Sequence, residues 1–536
     1  MPRLLEYVSV RVLVGIWRIR AHINYFFLSF RRSGAPGSGK STLLRLIADN
    51  LHVTKDHVSG GEVSLSGVKP GGEVIWTNCV GYIDQIDRLH PFLTVFESLK
   101  FAWLCRSGGT HRKPFYGEGE DVDKVIEKMD ADLHAVHKIM DAVGLTRVKD
   151  TFVGDQMAVR GVSGGEKKRV TVAEMLVTGT PVLCCDEIST GLDAATTYDI
   201  TRLLGAASRI TKGMFIISLL QPPPETVANF DELILLSDGK IIYSGPVDKV
   251  LDHFNSLGYE IPDRVDVADW LQALPTKDGY EYLNEAKDKK FDKEALLEKH
   301  LTPEEFRQKF NESALGQKIL ERIAAPVPKG GDAIKAMAAN RYANSSKDSL
   351  KLVVRRELLL WWRDKYQIKA KVGQAMILGV VIGTLFWQVE DNPGGIVGVQ
   401  FQSMFTAVIG AMLLIIKQFP ERSIFYKQQD ANFFPTWTYV AGRSIATIPN
   451  ACIDAIMFGT IVYFFTGLAV NDGASVVNYI MFVLMLFTLS LSSGLFFSVF
   501  SASVQNITIA QASMAVTAVV LVLFSGFTVQ PDVIPV

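Results

Sequence analysis

The last part of the chain contains an uncharged stretch that is too long for an ordinary soluble core. From residue 473 to residue 531, 59 consecutive residues include no Asp, Glu, Lys or Arg. A helix needs about 20 apolar residues to cross the hydrocarbon core of a bilayer. The stretch therefore predicts two membrane spans, with a polar break near Gln505 and Asn506. The alternative is a large buried α-helical core, but soluble cores seldom continue so far without a charge.

Three further stretches have the length and composition of single membrane spans. They cover residues 372–389, 392–416 and 444–471, and only the third contains a charge, Asp454. With the two helices of the last stretch, the sequence predicts five spans in all. An ionisable residue inside a membrane is a functional candidate. The alternative for Asp454 is a place in a bend near Pro449, in the cytoplasmic leaflet.

The basic residues orient these spans. Seven Lys or Arg residues lie in residues 351–371 and four in residues 417–443, whereas the other connections contain none. Basic connections remain in the cytoplasm, so residues 1–371 and 417–443 are expected there. Residues 350–365 mix Leu, Val and Trp with Lys and Arg. That mixture predicts an amphipathic helix in the membrane interface, and the alternative is the start of the first span.

The overall composition excludes two classes of protein. The chain has 55 Lys and Arg against 56 Asp and Glu, a net charge of −1. It therefore lacks the basic excess that would indicate a nucleic-acid partner. Five cysteines in 536 residues, without a CxxC pair, exclude a disulfide scaffold.

A glycine-rich motif near the start predicts a phosphate site. Residues 34–41, GAPGSGKS, match the pattern G-x-x-x-x-G-K-[ST]. Glycines let backbone N–H groups turn towards a phosphate at the start of a helix. In this pattern Lys40 reaches the β- and γ-phosphates and the Ser41 hydroxyl binds Mg²⁺. The predicted nucleotide contacts are Gly34, Gly37, Ser38, Gly39, Lys40, Ser41 and Thr42.

An acidic pair follows a predicted buried strand. The apolar residues 181–185 precede Asp186 and Glu187, and ligands bind at the carboxyl ends of parallel strands. Asp186 is expected to hold Mg²⁺ through water, and Glu187 to act as the general base for an attacking water. The alternative for such a pair is a solvated turn.

A second glycine motif lies just before that strand. Residues 161–170 read GVSGGEKKRV, and a serine followed by two glycines at a helix start predicts another anion site. One bound phosphate group needs only one such site. Ser163, Gly164 and Gly165 are therefore expected to contact a phosphate that a partner molecule holds.

These motifs resemble those of the ATP-binding cassette (ABC) family. VSGGE at 162–166 is similar to the family's signature motif, YIDQ at 82–85 to its Q-loop, and TGLD at 190–193 to its D-loop. The resemblance implies that Gln85 contacts Mg²⁺ and the transport domain. It also implies that two cassettes pack head to tail, so that Ser163 and Gly165 of one cover the ATP bound by the other.

The order of cassette and membrane segments resembles the G-type, or pleiotropic drug resistance, transporters. The likeness covers residue 34 to the end and includes GVSGGEKKRVTVAEML, CDEISTGLDAATTYDI and FDELILLSDGKIIYSGPVDKVLDHFNSLGY. It implies an α/β P-loop cassette with a helical subdomain, followed by an all-α polytopic membrane domain. FYKQQDANFFPTWTYV at 425–440 is similar to the region that couples cassette motion to the membrane.

The predicted organisation has four segments. Residues 1–33 form an atypical N-terminal segment, 34–247 the nucleotide-binding domain, 248–349 a cytoplasmic linker, and 350–536 the transmembrane domain. Within the linker, EALLEKHLTPEEFRQKF predicts a helix, a turn and a second helix that starts at Thr302 and Pro303.

The chain departs from the family pattern in three places. Residues 1–33 show no match to the family's early strands or to its adenine-stacking aromatic residue. Leu220 stands where many members have a histidine that contacts the γ-phosphate, and leucine cannot hydrogen-bond. Five spans are predicted where the family has six. The resemblance then implies the N-terminal half of a full-length transporter, truncated at its ends.

Three functions remain open at this point. The leading one is a transporter subunit that uses ATP binding and hydrolysis, with Mg²⁺, to export amphipathic small molecules or lipids. The resemblance implies that it lies in the plasma membrane and works with a second cassette half. The first alternative is an ATP-binding gate half with little hydrolysis of its own. The second is a soluble cassette ATPase, which the apolar spans oppose.

Overall fold

The computed structural model divides the chain into two compact units. The first unit is Met1–Ser345 with Gln428–Phe433, and the second is Ser346–Lys427 with Phe434–Val536. The structure describes residues 10–14, 17–21, 25–29, 39–51, 61–65, 68–71, 74–106, 133–155, 159–211, 213–220, 222–287, 293–324, 335, 340–389, 393–415, 417–468 and 476–524.

A six-stranded, mostly parallel sheet organises the first unit. Its order is β5-β6-β7-β3-β8-β9, and only the β8–β9 pair is antiparallel. A second sheet, of order β2-β1-β4, is antiparallel. The strands are β1 (Val10–Val14), β2 (Trp17–Ala21), β3 (Tyr25–Ser29), β4 (Gly61–Leu65), β5 (Val80–Ile83), β6 (Val182–Cys185), β7 (Met214–Ser218), β8 (Glu232–Ser237) and β9 (Lys240–Pro246).

The expectation that no family strand lies within residues 1–33 is wrong. Three strands occur there, and β3 pairs in parallel with both β7 and β8 shortly before the glycine motif. The sequence WRIRA alternates arginine with apolar residues, and VRVLV contains one arginine among four apolar residues. Such alternation is typical of an antiparallel sheet rather than of the continuous apolar run of a buried parallel strand.

Two apolar cores cover the two faces of the six-stranded sheet. Along β6, Val182 and Cys184 belong to one core, and Leu183 and Cys185 to the other. Successive residues of a strand face opposite sides, so both faces are covered and the strand is apolar throughout. This burial explains the uninterrupted apolar run before the acidic pair.

The helices of the first unit surround this sheet. Helix α4 begins with a capping box between Ser163 and Glu166, and α10 with one between Thr302 and Glu305. The helix start predicted at Thr302 is thus confirmed. The helices are α1 (Lys40–Ile47), α2 (Val95–Arg106), α3 (His134–Ala142), α4 (Gly164–Leu176), α5 (Ala194–Thr211), α6 (Pro224–Val227), α7 (Val250–Ser256), α8 (Val267–Ala273), α9 (Lys293–Lys299), α10 (Pro303–Glu312) and α11 (Ala314–Ala324).

Much of the segment predicted as a linker, residues 248–349, packs into the apolar core of the first unit. Phe254 of α7, Trp270 of α8 and Phe306 of α10 join Leu233 and Tyr243 of the sheet in a single buried cluster. The rings contact one another directly, with centroids 6.0 Å apart for Phe254 and Trp270. The segment therefore stabilises the first unit instead of only connecting it.

His253 makes the stability of this unit sensitive to acid. Its ring is 7% exposed, lies beside Tyr243 and Phe310, and has an Nε2 atom without a hydrogen-bond partner in the described part of the chain. Burial lowers the pKa of His253 to about 4. Above pH 6.5 the ring is neutral in both folded and unfolded chains, so it contributes nothing.

Between pH 6.5 and pH 4 the unfolded chain takes up a proton that the folded chain does not, so stability falls. We expect a loss of roughly 1–3 kcal/mol by pH 4. His253→Phe should remove this part of the acid dependence, whereas the exposed His134→Phe should keep it. Thermal unfolding at pH 7 and pH 5 measures the difference. An equal downward shift in wild type and His253→Phe would contradict the assignment.

The second unit is helical, and four of its helices are long and apolar enough to cross a bilayer. These are Lys365–Leu385, Pro393–Met412, Thr436–Phe465 and Val476–Ser503, judged over the described residues. The helices are α12 (Ser346–Arg363), α13 (Lys365–Leu385), α14 (Pro393–Ile415), α15 (Gln418–Asp430, whose last three residues belong to the first unit), α16 (Thr436–Ile453), α17 (Gly459–Phe465), α18 (Val476–Ser503) and α19 (Ile507–Leu523).

Four of the five predicted spans are present as helices long and apolar enough to cross a bilayer. The polar break falls where it was expected, because α18 ends at Ser503 and α19 begins at Ile507. Helix α19, at the position of the fifth, is apolar but has only 17 residues, at the short end of the range for a span. The Asn506 side chain caps α19 by accepting a hydrogen bond from the Thr508 N–H, which fixes the break.

The predicted amphipathic helix is present as α12. It is separated from α13 by Asp364, whose side chain accepts a hydrogen bond from the Gln367 N–H and caps α13. Trp362 is 66% exposed while Val353 is buried. These residues therefore form a helix of their own, as predicted, and are not the start of the first span.

Candidate nucleotide-binding site

The described part of the glycine motif forms the start of α1. Gly39 is the N-cap residue, with a φ of 91° that favours glycine, and Lys40, Ser41 and Thr42 form the first turn. The Nζ atom of Lys40 lies 3.1 Å from Oε1 of Glu187. The predicted contacts Gly34, Gly37 and Ser38 lie outside the described residues.

The acidic pair follows β6 directly. Asp186 is 3% exposed, and its N–H donates to the carbonyl of Ile83 at the end of β5. Glu187 has a φ of 45°, an unfavourable left-handed conformation for a residue with a side chain. The Nε2 atom of Gln85 donates to Oε2 of Glu187 over 2.8 Å. Lys40 and Gln85 therefore both contact the carboxylate of Glu187, the residue that follows Asp186.

Two hydroxyl groups donate hydrogen bonds to the Asp186 carboxylate. Neither residue was predicted from the sequence. The Tyr82 hydroxyl donates to Oδ2 over 3.0 Å, and the Ser218 hydroxyl donates to Oδ1 over 2.9 Å. Burial raises the pKa of Tyr82, so its hydroxyl keeps its proton. Both residues lie at or next to the carboxyl ends of strands that flank β6, the edge where parallel sheets bind ligands.

The second glycine motif forms an exposed helix start. In the capping box the Ser163 hydroxyl donates to the Glu166 carboxylate over 2.9 Å, and the Glu166 N–H donates back to Ser163 Oγ. A Cβ atom added at Gly164 would have no heavy atom within 4 Å, and one at Gly165 would make ordinary contacts with Thr196 at 3.4 Å and Leu192 at 3.9 Å. The three predicted residues thus lie at an accessible surface, and a partner's phosphate there stays a prediction.

Lys168 connects this helix to the predicted Q-loop. It is 2% exposed, its Nζ atom donates to the Gln85 carbonyl over 2.8 Å, and it lies 3.0 Å from Oδ1 of Asp87. Thr171, one turn further along α4, also donates to Oδ1 of Asp87 over 2.7 Å. The helix that carries the second glycine motif therefore fixes the backbone beside Gln85.

Replacing Lys168 by methionine should destabilise the first unit by about 2–4 kcal/mol, because Asp87 would lose its buried counter-ion. Hydrogen exchange at residues 84–88 should accelerate in this variant. Lys138→Met, a change of the same kind on the exposed face of α3, is the control and should leave both measurements unchanged. Unaltered exchange in Lys168→Met would contradict the connection.

The residues at the site fit Mg²⁺ and a polyphosphate. Mg²⁺ prefers oxygen ligands and is usually held by one or two carboxylates together with substrate phosphates. Asp186 offers a carboxylate fixed by two hydroxyls, and Ser41 offers a hydroxyl on the first turn of α1. No cluster of three or more His, Cys, Asp or Glu ligands occurs among the described residues, which suits a metal that a substrate helps to hold.

Leu220 lies two residues beyond β7 and is half-buried. Its side chain has no donor for a phosphate. The nearest polar side chain on this strand, Ser218, is directed at Asp186. The effect of leucine at this position stays a prediction.

Part of the predicted coupling region belongs to the first unit. The guanidinium group of Arg106 donates to the carbonyl of Ala431 over 2.5 Å and to Oδ1 of Asn78 over 3.0 Å. The side-chain amide of Asn432 donates to Thr77 and to Asn78. Burial lowers the pKa of Arg106 to about 10. Residues 428–433 are thus held by hydrogen bonds ahead of β5, the strand that leads to Gln85.

The intramembrane acid predicted at Asp454 has a partner. Oδ1 of Asp454 lies 2.8 Å from Nζ of Lys371, and Oδ2 accepts a hydrogen bond from the Ser490 hydroxyl over 2.9 Å. Lys371 is 3% exposed and also donates to the Gly410 carbonyl. Helix α13 begins at Lys365 and therefore includes Lys371, which lies one residue before the predicted uncharged span 372–389. Asp454 also begins a π-helical turn, Asp454–Phe458.

Known protein families match both the first and the second part of the chain. A family model described as ABC transporter matches residues 33–190, and two models described as ABC-2 type transporter match residues 348–536 and 221–276. ABC transporter G family member 36 of Oryza sativa subsp. japonica is 32% identical over 519 residues, 92% of this chain and 34% of the relative. The chain is homologous to G-type ABC transporters and contains an ABC transporter domain and an ABC-2 type transporter domain. Its apolar helices and its ABC-2 domain make it a multi-pass membrane protein.

Other relatives of this ABC protein include transporters named for drug resistance. Pleiotropic drug resistance protein 1 of Nicotiana tabacum is 33% identical over 86% of this chain and 33% of its own length. The pleiotropic drug resistance protein TUR2 of Spirodela polyrhiza is 31% identical over 92% of this chain and 35% of its own length. The chain spans about a third of the length of these relatives. A solved structure of cbiO1 from Clostridium perfringens, 19% identical, aligns with a TM-score of 0.33 over 47% of this chain and 93% of its own.

Proposed function

We propose that this chain is a subunit of an ATP-driven transporter that exports amphipathic small molecules or lipids from the cytoplasm, most simply across the plasma membrane. The observation that carries the proposal is the contact of Lys40, Gln85 and Glu187 beside Asp186. These residues come from three distant parts of the chain, and the lysine and the amide both contact the same glutamate carboxylate.

Each residue has a defined task in ATP hydrolysis. Lys40 places a positive charge where the β- and γ-phosphates bind. Glu187 accepts the proton of the attacking water, and Gln85 orients the Glu187 carboxylate through its 2.8 Å hydrogen bond. When bound, Mg²⁺ neutralises developing phosphate charge. Asp186 and Ser41 are the side chains that would hold it.

A second cassette is expected to complete the site. The exposed start of α4, with Ser163, Gly164 and Gly165, presents backbone N–H groups at a helix N-terminus, and such groups bind anions. We expect this surface to cover ATP bound to another cassette. That cassette belongs either to a second copy or to a related half, and ATP-driven closure shifts the population between two states.

The second unit contains a cavity suited to an amphipathic substrate. Its volume is about 670 Å³, and it is lined by phenylalanines at positions 401, 405, 496 and 497 together with Gln400 and Ser493. Aromatic walls with few polar groups are typical of sites for drug-sized apolar molecules. The sole ion pair described inside the apolar helices, Lys371 with Asp454, does not line it.

The test is ATP hydrolysis by the purified full chain in lipid nanodiscs, with and without vanadate. We expect vanadate-sensitive hydrolysis that Lys40→Ala removes, because the lysine binds the transferred phosphate. Lys138→Ala, on an exposed helix face, is the control. Hydrolysis that survives in Lys40→Ala, or protein released from membranes by carbonate, would contradict the proposal.

One observation favours a second candidate, a half that binds ATP without hydrolysing it. Leu220 supplies no hydrogen bond at the position where the family resemblance implies a histidine. In that case the wild-type homodimer binds ATP but turns it over no faster than Lys40→Ala does. Brisk hydrolysis by the homodimer excludes this candidate.

A further inference from the structure

We propose that Ser218 is a positioning residue for both members of the acidic pair, and that its hydroxyl, assisted by Tyr82, fixes the geometry on which metal binding and hydrolysis depend. This inference rests on the proposed function. It assigns a role to the end of β7, which none of the sequence motifs covers.

One hydroxyl group serves both acids. The Ser218 hydroxyl donates its hydrogen to Oδ1 of Asp186 over 2.9 Å, and its oxygen accepts the backbone N–H of Glu187 over 2.8 Å. A hydroxyl has one donor and two acceptor positions, so both bonds form at once. Ser218 is 0% exposed, and water therefore cannot substitute for it without a rearrangement.

The bond to the Glu187 backbone matters because that backbone is strained. A non-glycine residue at a φ of 45° lies in a sparsely populated, unfavourable region of backbone conformation and persists there only when neighbouring groups fix it. The hydrogen bond from the Glu187 N–H to Ser218 is such a constraint. It determines the direction in which the Glu187 side chain leaves the chain, towards Lys40 and Gln85.

The bond to Asp186 completes a clamp across three adjacent strands. Tyr82, on β5, donates to one carboxylate oxygen, and Ser218, on β7, donates to the other, while Asp186 follows β6 between them. The Arg45 side chain donates to the Tyr82 hydroxyl over 3.2 Å and so orients it. Each carboxylate oxygen keeps a lone pair, and the two hydroxyls set where those lone pairs point.

Ser218 therefore does more than occupy the last position of β7, because its hydroxyl bonds to both acidic residues. Alanine would leave the Glu187 N–H and one carboxylate oxygen of Asp186 without their shared partner, at a place where both Ser218 and Asp186 are buried. Threonine keeps the hydroxyl, and its branched side chain suits the end of a strand. The substitutions Ser218→Ala and Ser218→Thr thus separate the role of the hydroxyl from that of the side-chain volume.

The first experiment needs no nucleotide. Hydrogen exchange in the full chain, followed for the peptide that contains residues 183–190, reports the Glu187 N–H. We expect about tenfold faster exchange at this amide in Ser218→Ala and wild-type exchange in Ser218→Thr. The control is Ser208→Ala, which removes an equally buried hydroxyl that bonds only within α5. Equal protection in Ser218→Ala and Ser208→Ala would overturn the inference.

The second experiment measures function. Mn²⁺ binding in the presence of ADP, and the kcat and KM for ATP, are compared in the same variants and in Tyr82→Phe. We expect Ser218→Ala to weaken Mn²⁺ binding about tenfold or more and to lower kcat by a similar factor, while the KM for ATP changes less than threefold. Tyr82→Phe should weaken Mn²⁺ binding and leave kcat unchanged. Ser218→Thr should restore both values.

The outcomes separate the two claims. If wild type and Ser208→Ala bind no nucleotide, the proposed function fails, and the exchange result still decides the constraint on Glu187. If wild type binds Mn²⁺ and ADP and Ser218→Ala binds them equally well, with an unchanged kcat, the positioning role is wrong while the proposed function stands.

Discussion

Replacing Glu187 by glutamine should lower the rate of ATP hydrolysis at least a hundredfold and leave ATP binding within about threefold of wild type. The amide cannot accept the proton of the attacking water, and loss of a general base costs about 10²–10⁴ in rate. The amide oxygen can still contact Lys40, which lies 3.1 Å from Oε1 in the wild-type chain. Binding of ATP therefore survives while turnover does not.

Single-turnover hydrolysis and ATP binding in nanodiscs measure the two effects separately. Glu225→Gln, the same chemical change at an exposed helix start, is the control. A Glu187→Gln protein that hydrolyses ATP at more than a tenth of the wild-type rate would assign the general base to another group. Loss of ATP binding would instead give Glu187 a structural role.

Removing one partner of the ion pair between Lys371 and Asp454 should destabilise the second unit by about 3–5 kcal/mol. Asp454→Leu leaves the Lys371 ammonium buried with only the Gly410 carbonyl as a partner among the contacts described here. The double variant Lys371→Met with Asp454→Leu should recover most of the loss, since apolar side chains of similar volume often replace a buried ion pair without cost.

Unfolding in detergent, arranged as a double-mutant cycle, measures the coupling between the two residues. Ile456→Ala changes an exposed side chain in the same π-helical turn and should cost much less. Additive losses in the double variant would show that the two charges do not act as a pair. A stable double variant that no longer transports would indicate that the pair serves transport rather than stability.

The acidic pair and the glycine motif could be predicted from the sequence because each depends on local pattern. An apolar run that ends in Asp186 and Glu187 places these acids at the carboxyl end of a strand, and the motif before Ser41 places Lys40 at a helix start. Ligands of parallel sheets gather at that edge. The meeting of Lys40, Gln85 and Glu187 follows from these local features.

Features that depend on distant partners could not be predicted in this way. The roles of Tyr82 and Ser218 require the strand order β5-β6-β7, which no local pattern contains. Strands β1 and β2 could not be predicted as buried parallel strands because arginines interrupt the apolar residues of both. Lys371 was assigned to the basic flank of the first span because its partner, Asp454, is far away in the sequence.

The assignment of Gln428–Phe433 to the first unit has a practical consequence for cutting the protein into parts. A cassette expressed as residues 1–345 would lack six residues of its own fold. Arg106 would lose its acceptor on Ala431, and Thr77 and Asn78 would lose the amide of Asn432. A synthetic peptide covering this short return of the chain, added in trans, should raise the solubility of such a fragment.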